Sequence, residues 1–213
     1  MEHKLIVSNV TKQYGRKTVL DNVSFSVYSG EIVGLVGENG SGKTQLMKSI
    51  IGLIKPQKGQ VSYDGKIVGK DFRFLPDNGF VIENPAFFDE LTGFENLKLL
   101  ASINNKIGDD DIENWIKTVG LENDGKPVEE YSLGMLQRLG IAQALMEDPQ
   151  VIILDEFTNS LDDEGVKLVY DLLLSEKKKG KIIIISSHRK DDIITLCDRV
   201  YRMKDGRINE EQN

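Results

Sequence analysis

"GENGSGKT", Gly37–Thr44, is the stretch whose reading decides the fold. A short buried run, "EIVGLV", leads into it, and an amphipathic run with Leu46, Met47, Ile50 and Ile51 on one face leads out. Strand, glycine loop and helix in that order satisfy G-x-x-x-x-G-K-[ST] in the context that pattern requires. Gly37, Gly40 and Gly42 let the backbone curl so that its N–H groups can meet phosphate oxygens. Lys43 is placed for the β- and γ-phosphates of a nucleotide, and Thr44 offers a hydroxyl to Mg²⁺. Asn39, Ser41 and Gln45 lie within or just after the loop and join the same set of nucleotide contacts. The rival reading is a glycine-rich turn with a solvated lysine, and the presence of every motif position with both flanking elements weighs against it.

Working outward, "VIILDE" (Val151–Glu156) supplies the partner carboxylates. An apolar run sets Asp155 at a strand end, where it can hold Mg²⁺ through water, and Glu156 is then placed to orient or deprotonate an attacking water. Alone this is a weak signal, since acids often end strands; about 110 residues after a phosphate loop it is a strong one. Together the two motifs point to hydrolysis of a nucleoside triphosphate and leave its purpose open.

The remaining pattern is α/β. Val23, Phe25 and Val27 share one face of a strand at a period of two, within a strand-rich segment from residue 4 to 36. "GQVSYDGKIVG" reads as a hairpin turning at Asp64-Gly65. From about 85 to 149 the chain turns helical: Thr92 and Glu95 form a capping box, "DDDIENWIKTVG" runs from acids to Gly120, and a helix beginning near "YSLGM" ends at Asp148-Pro149. "VIILD", "GVKLVYDLLLSEKKKG" and "KIIIISS" then alternate strand, helix, strand, which favours a parallel sheet with its chemistry at the strands' C-terminal ends. The fold class expected is a phosphate-loop NTPase core with a mostly parallel sheet, an N-terminal antiparallel β subdomain and an inserted helical subdomain. One domain, 1–213, is expected: 1–84 and 150–213 form the ATPase core with the β subdomain, and 85–149 the helical part.

Composition narrows the class. The chain has 213 residues, 39% hydrophobic and 29% charged, with a net charge of −7 and scattered lysines, which argues against bulk nucleic-acid binding. A single cysteine, Cys197, excludes an internal disulfide and suits a reducing compartment. The opening "MEHKLIVSNV" carries charge where a secretory signal needs an apolar stretch. The longest apolar runs, such as "IIII" at 182–185, fall far below the roughly 20 residues that span a bilayer. The expectation is a soluble, cytoplasmic protein that relies on another chain for any spanning of a membrane.

The phosphate loop, "YSLGM" (Tyr131–Met135), "VIILDE" and "SSH" (Ser186–His188) occur in an order that resembles the ATP-binding cassette of ABC transporters, over almost the whole chain. The resemblance implies ATP and Mg²⁺ as cofactors and two cassettes, identical or paralogous, meeting head to tail with ATP sandwiched between them. Ser132 and Gly134 are then expected to face the other protomer's γ-phosphate, with the residues themselves offering a hydroxyl and free N–H groups at a helix start. The alternative is a plain Ser cap, and one helix end can serve both. Tyr14 resembles the aromatic that stacks on adenine, against an ordinary packing role. His188 matches the switch histidine at the γ-phosphate, and Asp162, last of "NSLD", the loop along the dimer interface or simply a helix cap.

Three positions depart from the family's usual pattern. Glu83 stands where Gln is common and remains a competent oxygen ligand for Mg²⁺. Leu133 occupies the middle of the signature where many members have Gly, and Phe157 replaces a common Pro, so the loop to Asp162 lacks a fixed φ. The combination is similar to bacitracin- and antibiotic-export type cassettes. The resemblance implies an ATPase subunit peripheral on the cytoplasmic face of the membrane, powering a separate transmembrane permease, with export favoured over import and no nucleic acid. Phe87, Phe88, Leu91 and Phe94 are candidates either to line the permease groove or to pack in the core. A soluble ABC ATPase of translation or DNA repair is the rival, disfavoured by a single cassette and no basic patch. A kinase or switch GTPase leaves "YSLGM" unexplained.

Overall fold

The computed structural model describes residues 2–211. The chain opens with an antiparallel pair, β1 (Lys4–Tyr14) and β2 (Lys17–Tyr28), then β3 (Ile32–Val36), the phosphate loop and α1 (Lys43–Ile51). A hairpin of β4 (Lys58–Tyr63) and β5 (Lys66–Ile67) follows, and its turn residues Asp64 and Gly65 both take positive φ, +49° and +81°, as a type I′ turn requires. After β6 (Asn78–Val81) come α2 (Gly93–Asn104), α3 (Asp109–Thr118) and α4 (Leu133–Leu145). β7 (Val151–Asp155), α5 (Asp163–Lys178), β8 (Ile182–Ser186), α6 (Lys190–Leu196), β9 (Arg199–Lys204) and β10 (Arg207–Glu211) complete it.

Two sheets form. The first, in order β2-β1-β4-β5, is antiparallel; the second runs β10-β9-β3-β8-β7-β6 and is parallel except at β10. Strands β7 and β8 are buried along their whole length, as apolar runs in a parallel sheet covered on both faces must be. Alternation divides them between two cores. Ile152, Leu154, Ile183 and Ile185 face a core shared with α2 to α5. Val151, Ile153, Ile182 and Ile184 face a second core with α1 and the antiparallel sheet. The helical segment therefore packs onto the sheet, with α4 lying along β6, and shares the sheet's core.

Local chemistry explains the ends of the helices. The Thr92 Oγ1 accepts the Glu95 N–H at 3.1 Å while the Glu95 carboxylate accepts the Thr92 N–H at 2.8 Å, the reciprocal box its sequence specifies. Those bonds from Thr92 hold the Glu95 carboxyl below its ordinary range. α3 begins with three acids and is followed by Gly120 at φ +72°.

The parallel arrangement is what builds a site. β3, β6, β7 and β8 all run the same way, so the loops after Val36, Val81, Asp155 and Ser186 emerge at one edge.

Candidate nucleotide site

At that edge lies a cavity of about 470 Å³. Its lining gathers Tyr14, Asn39 to Gln45, Glu83, Asp155 and Glu156 from segments that are remote in sequence. Lys17 and Val19 on β2 line it too, and the sequence reading missed both. Their strand pattern reads only as sheet, and only the fold of the β1–β2 hairpin brings them beside Tyr14. Tyr14 is half exposed; its hydroxyl donates to Gln45 Oε1 at 3.2 Å and Lys12 Nζ stands 5.0 Å from its ring centre.

The glycines of the loop are required where the backbone crowds. A Cβ on Gly37, at φ +150°, would lie 2.3 Å from the Met203 carbonyl, and one on Gly42, at φ +113°, 2.7 Å from that of Val19. Lys43 opens α1 and is only 7% exposed; its Nζ donates to the Gly37 carbonyl at 2.8 Å. Thr44 Oγ1 donates to Asp155 Oδ2 at 2.6 Å, joining the phosphate loop to the end of β7. Ser186 Oγ donates to the other Asp155 oxygen.

Glu156, Lys43 and His188 converge. His188 Nε2 is 2.9 Å from Glu156 Oε1 and 2.9 Å from Asn39 Oδ1, and Lys43 Nζ is 3.6 Å from the same Glu156 oxygen. A single ring N–H cannot donate well to both oxygens, and the geometry favours Asn39. Glu156 Oε1 is thus buried without a hydrogen-bond donor although Lys43 and the His188 ring stand close to it. Such an acceptor suits a water molecule held for attack.

The backbone carries a second mark of function. Nine non-glycine residues among those described have positive φ, and seven of them are Asn or Asp, which tolerate that region. The two exceptions are Glu83, at +61°, and Glu156, at +50°, and both line the cavity. Glu156 is held there by its N–H, which donates to the Ser186 carbonyl at 3.1 Å and to Ser186 Oγ at 3.0 Å. Left-handed geometry in a longer side chain costs roughly 1–2 kcal/mol, so the surroundings must impose it. Glu83 differs from the expectation in one respect: its carboxylate accepts from Lys48 Nζ at 2.8 Å and is largely exposed.

Ser132, Gly134 and Asp162 do not line this cavity. Ser132 caps α4, its Oγ accepting the Met135 N–H at 3.2 Å. Gly134 packs so closely on the Asp162 loop that a Cβ would lie 2.9 Å from the Ser160 carbonyl. Asp162 caps α5 through the Gly165 N–H at 2.9 Å and accepts from Arg138 at 2.6 Å; those two contacts hold its carboxyl below the ordinary range. Leu133 is the first residue of α4 and 72% exposed, so the departure there places a large side chain in solvent without demanding unusual backbone. Phe157 is fully buried in the core beneath α4 and α5 and anchors its loop by packing, where a proline would have restricted φ. Phe87 and Phe94 pack against that core while Phe88 is 59% exposed.

A family model described as ABC transporter matches residues 20–159, more than half of the chain. The uncharacterized ABC transporter ATP-binding protein YybJ of Bacillus subtilis (strain 168) is 46% identical over 97% of this chain and 95% of its own length. The bacitracin transport ATP-binding protein BcrA of Enterococcus faecalis is 38% identical over 100% of this chain and 70% of its own. Among solved structures, a dimeric ATP-binding cassette in a post-hydrolysis state with ADP and Pi superposes with a TM-score of 0.87 at 26% identity, covering 98% of each chain.

Proposed function

The chain belongs to the ABC transporter family as an ATP-binding subunit with ATPase activity, and from that premise we propose that it powers export through a transmembrane subunit on a separate chain. The observation that carries the residue assignment is the convergence of Lys43, Glu156 and His188 beside the Thr44–Asp155 bond. The cargo is proposed to be a drug or peptide, by likeness to a bacitracin transport relative. Among the described residues no helix is long and apolar enough to cross a membrane. The proposed location is accordingly peripheral, on the cytoplasmic face, with the spans supplied by the partner.

In this reading the loop N–H groups from Asn39 to Thr44 hold the phosphates, Lys43 neutralises the β- and γ-phosphates, and Tyr14 stacks on adenine. Thr44 and Asp155 bring a hydroxyl and a carboxylate to one point, a pair of hard oxygen donors that fits Mg²⁺. Thr44 and Asp155 are the residues that would hold the ion. Mg²⁺ bound there spreads the charge of the phosphates. Glu83 would add a carboxylate oxygen to that set, one of its two oxygens being bonded to Lys48.

Glu156 takes the proton of the attacking water through its unsatisfied Oε1, and His188 turns its Nε2–H from Asn39 towards the γ-phosphate. Ser132 and Gly134, on the segment 85–149, serve the ATP of a second cassette in a head-to-tail dimer. The permease docks on that segment, where Phe88 ahead of α2 and Leu99 and Ile103 on α2 are 59%, 47% and 74% exposed.

The test is to purify the chain with a multi-span membrane protein encoded beside it, where the neighbouring reading frame predicts one, reconstitute both in vesicles and assay Mg²⁺-dependent ATP hydrolysis with cargo movement. Hydrolysis stimulated by that partner with cargo leaving the cytoplasmic side is expected. Hydrolysis indifferent to any membrane partner would overturn the transport reading.

A further inference from the structure

Asp192, in the first turn of α6, is fully buried yet does not line the nucleotide cavity. One of its oxygens, Oδ2, accepts from Thr158 Oγ1 at 2.6 Å and also from Ser187 Oγ. The other, Oδ1, accepts from the Tyr170 hydroxyl on α5, and Arg189 Nε stands 3.7 Å away. Thr158 lies two residues after Glu156, and Ser187 immediately precedes His188. Ser187 Oγ also accepts the Arg189 N–H at 2.9 Å, so bonds close on both sides of His188.

The loop after β7 and the loop after β8 therefore meet on one carboxylate oxygen. A first tie, nearer the cavity, runs from Ser186 to Asp155 and to the Glu156 N–H. The second, through Asp192, lies behind it. Between the two ties sits the left-handed Glu156, facing His188.

A buried carboxylate is an expensive way to fill space. Well-packed apolar residues in place of buried charge are often neutral or stabilising, so an Asp here suits a positional purpose better than a packing one. Its shape fits that purpose, because one carboxylate oxygen can accept two hydroxyl protons at once and so fix two side chains from different loops.

We infer that Asp192 is a positioning residue for ATP hydrolysis: it locks the Glu156–Asp162 loop to the His188 loop, so that Glu156 and His188 keep their approach and a shift of either loop is passed to the other. The inference rests on the hydrolytic roles proposed for Glu156 and His188. Thr158→Val and Ser187→Ala each release one loop with little change of volume, Thr158→Ser keeps the hydroxyl, and Tyr170→Phe removes the third bond while touching neither loop.

Steady-state kcat and KM for ATP and the melting temperature are measured for each. Thr158→Val and Ser187→Ala should lower kcat about tenfold with KM within about twofold, since misplacement hurts the chemical step more than binding. Thr158→Ser should restore kcat, and the double variant should be no slower than the slower single. Tyr170→Phe should lose melting temperature while kcat stays within about twofold. Full kcat in both single variants, or losses that add in the double and follow melting temperature through Tyr170→Phe, overturn the inference. Glu156→Gln is run alongside: wild-type hydrolysis there sinks the underlying site reading, whereas an inactive Glu156→Gln beside fully active loop variants sinks the inference alone.

Discussion

Lys43 and Asp155 are 7% and 5% exposed; Lys43 bonds Gly37 in its own loop and stands beside Glu156, and Asp155 is held by Thr44 and Ser186, whereas Ser132 at the head of α4 is exposed and its hydroxyl serves only its own helix. Around the phosphate loop, four parallel strands deliver their loops to one edge, and Asp155 and Glu156 are both tied to Ser186 of the neighbouring strand. At the head of α4 the ties are fewer: one cap bond within the helix, and one glycine contact and the Arg138–Asp162 pair to the loop before α5. A region tied together from many elements gathers its polar groups at one point without help from another copy. A helix start with spare N–H groups and an exposed hydroxyl still has donors to offer, and in the proposed dimer another copy supplies the acceptor.

The contrast can be broken most forcefully at Glu156. Glu156→Gln keeps the shape and removes the base, so hydrolysis should fall about 10²–10⁴-fold while ATP binding persists. The variant should then collect as an ATP-bound dimer on size-exclusion chromatography. A monomer under saturating ATP would count against the head-to-tail arrangement. Next in size is Lys43→Ala, which removes the buried cation. Losing charge-assisted bonds worth about 1.5–3 kcal/mol should weaken ATP affinity about 10- to 100-fold, read by equilibrium titration. Undiminished affinity would refute the phosphate-loop assignment.

Ser132→Arg probes the other region. ATP binding by the monomer should survive, and cooperative hydrolysis should drop about tenfold, in the range of coupling energies between sites. Mixing it with Lys43→Ala protomers sharpens the test. In the mixed dimer both lesions fall in one composite site, leaving the second with an intact loop and an intact signature, so part of the activity should return. Two inactive variants that dimerise and never recover at any ratio would remove the main support for the signature serving in trans.

The smallest effect belongs to Asp162→Asn, which keeps a capping oxygen and loses the pair with Arg138. The folded-state carboxyl is depressed, so its contribution is present above the unfolded value of about 3.9 and is lost as pH falls through the folded one. The melting temperatures of wild type and variant should differ slightly at neutral pH and converge in acid. A gap that widens in acid would mean the carboxylate is not the stabilised form.

Much of this was legible in the residues because the signals are local. A period of two marks β2, the capping box marks α2, Asp64-Gly65 marks a turn, and strand–loop–helix around Gly37–Thr44 marks a phosphate cradle. Less legible were the fates of equivalent-looking side chains. Of the neighbours Phe87 and Phe88, one packs on the core and the other is exposed, and the sequence distance between them is too short for a pattern to separate. Phe157 read as a lost proline and proved to be a buried anchor.

By itself the sequence determined the class of chemistry and named the candidate residues for it, since phosphate binding needs glycines, a lysine and a hydroxyl at short fixed spacing. Tertiary structure alone decided their working states. The left-handed Glu156, the Lys48 bond to Glu83, the entry of Lys17 and Val19 into the cavity and the joining of two loops at Asp192 all depend on segments far apart in sequence. The reason is physical: backbone strain and buried hydrogen bonds are set by the neighbours that packing supplies, and no local pattern names those neighbours.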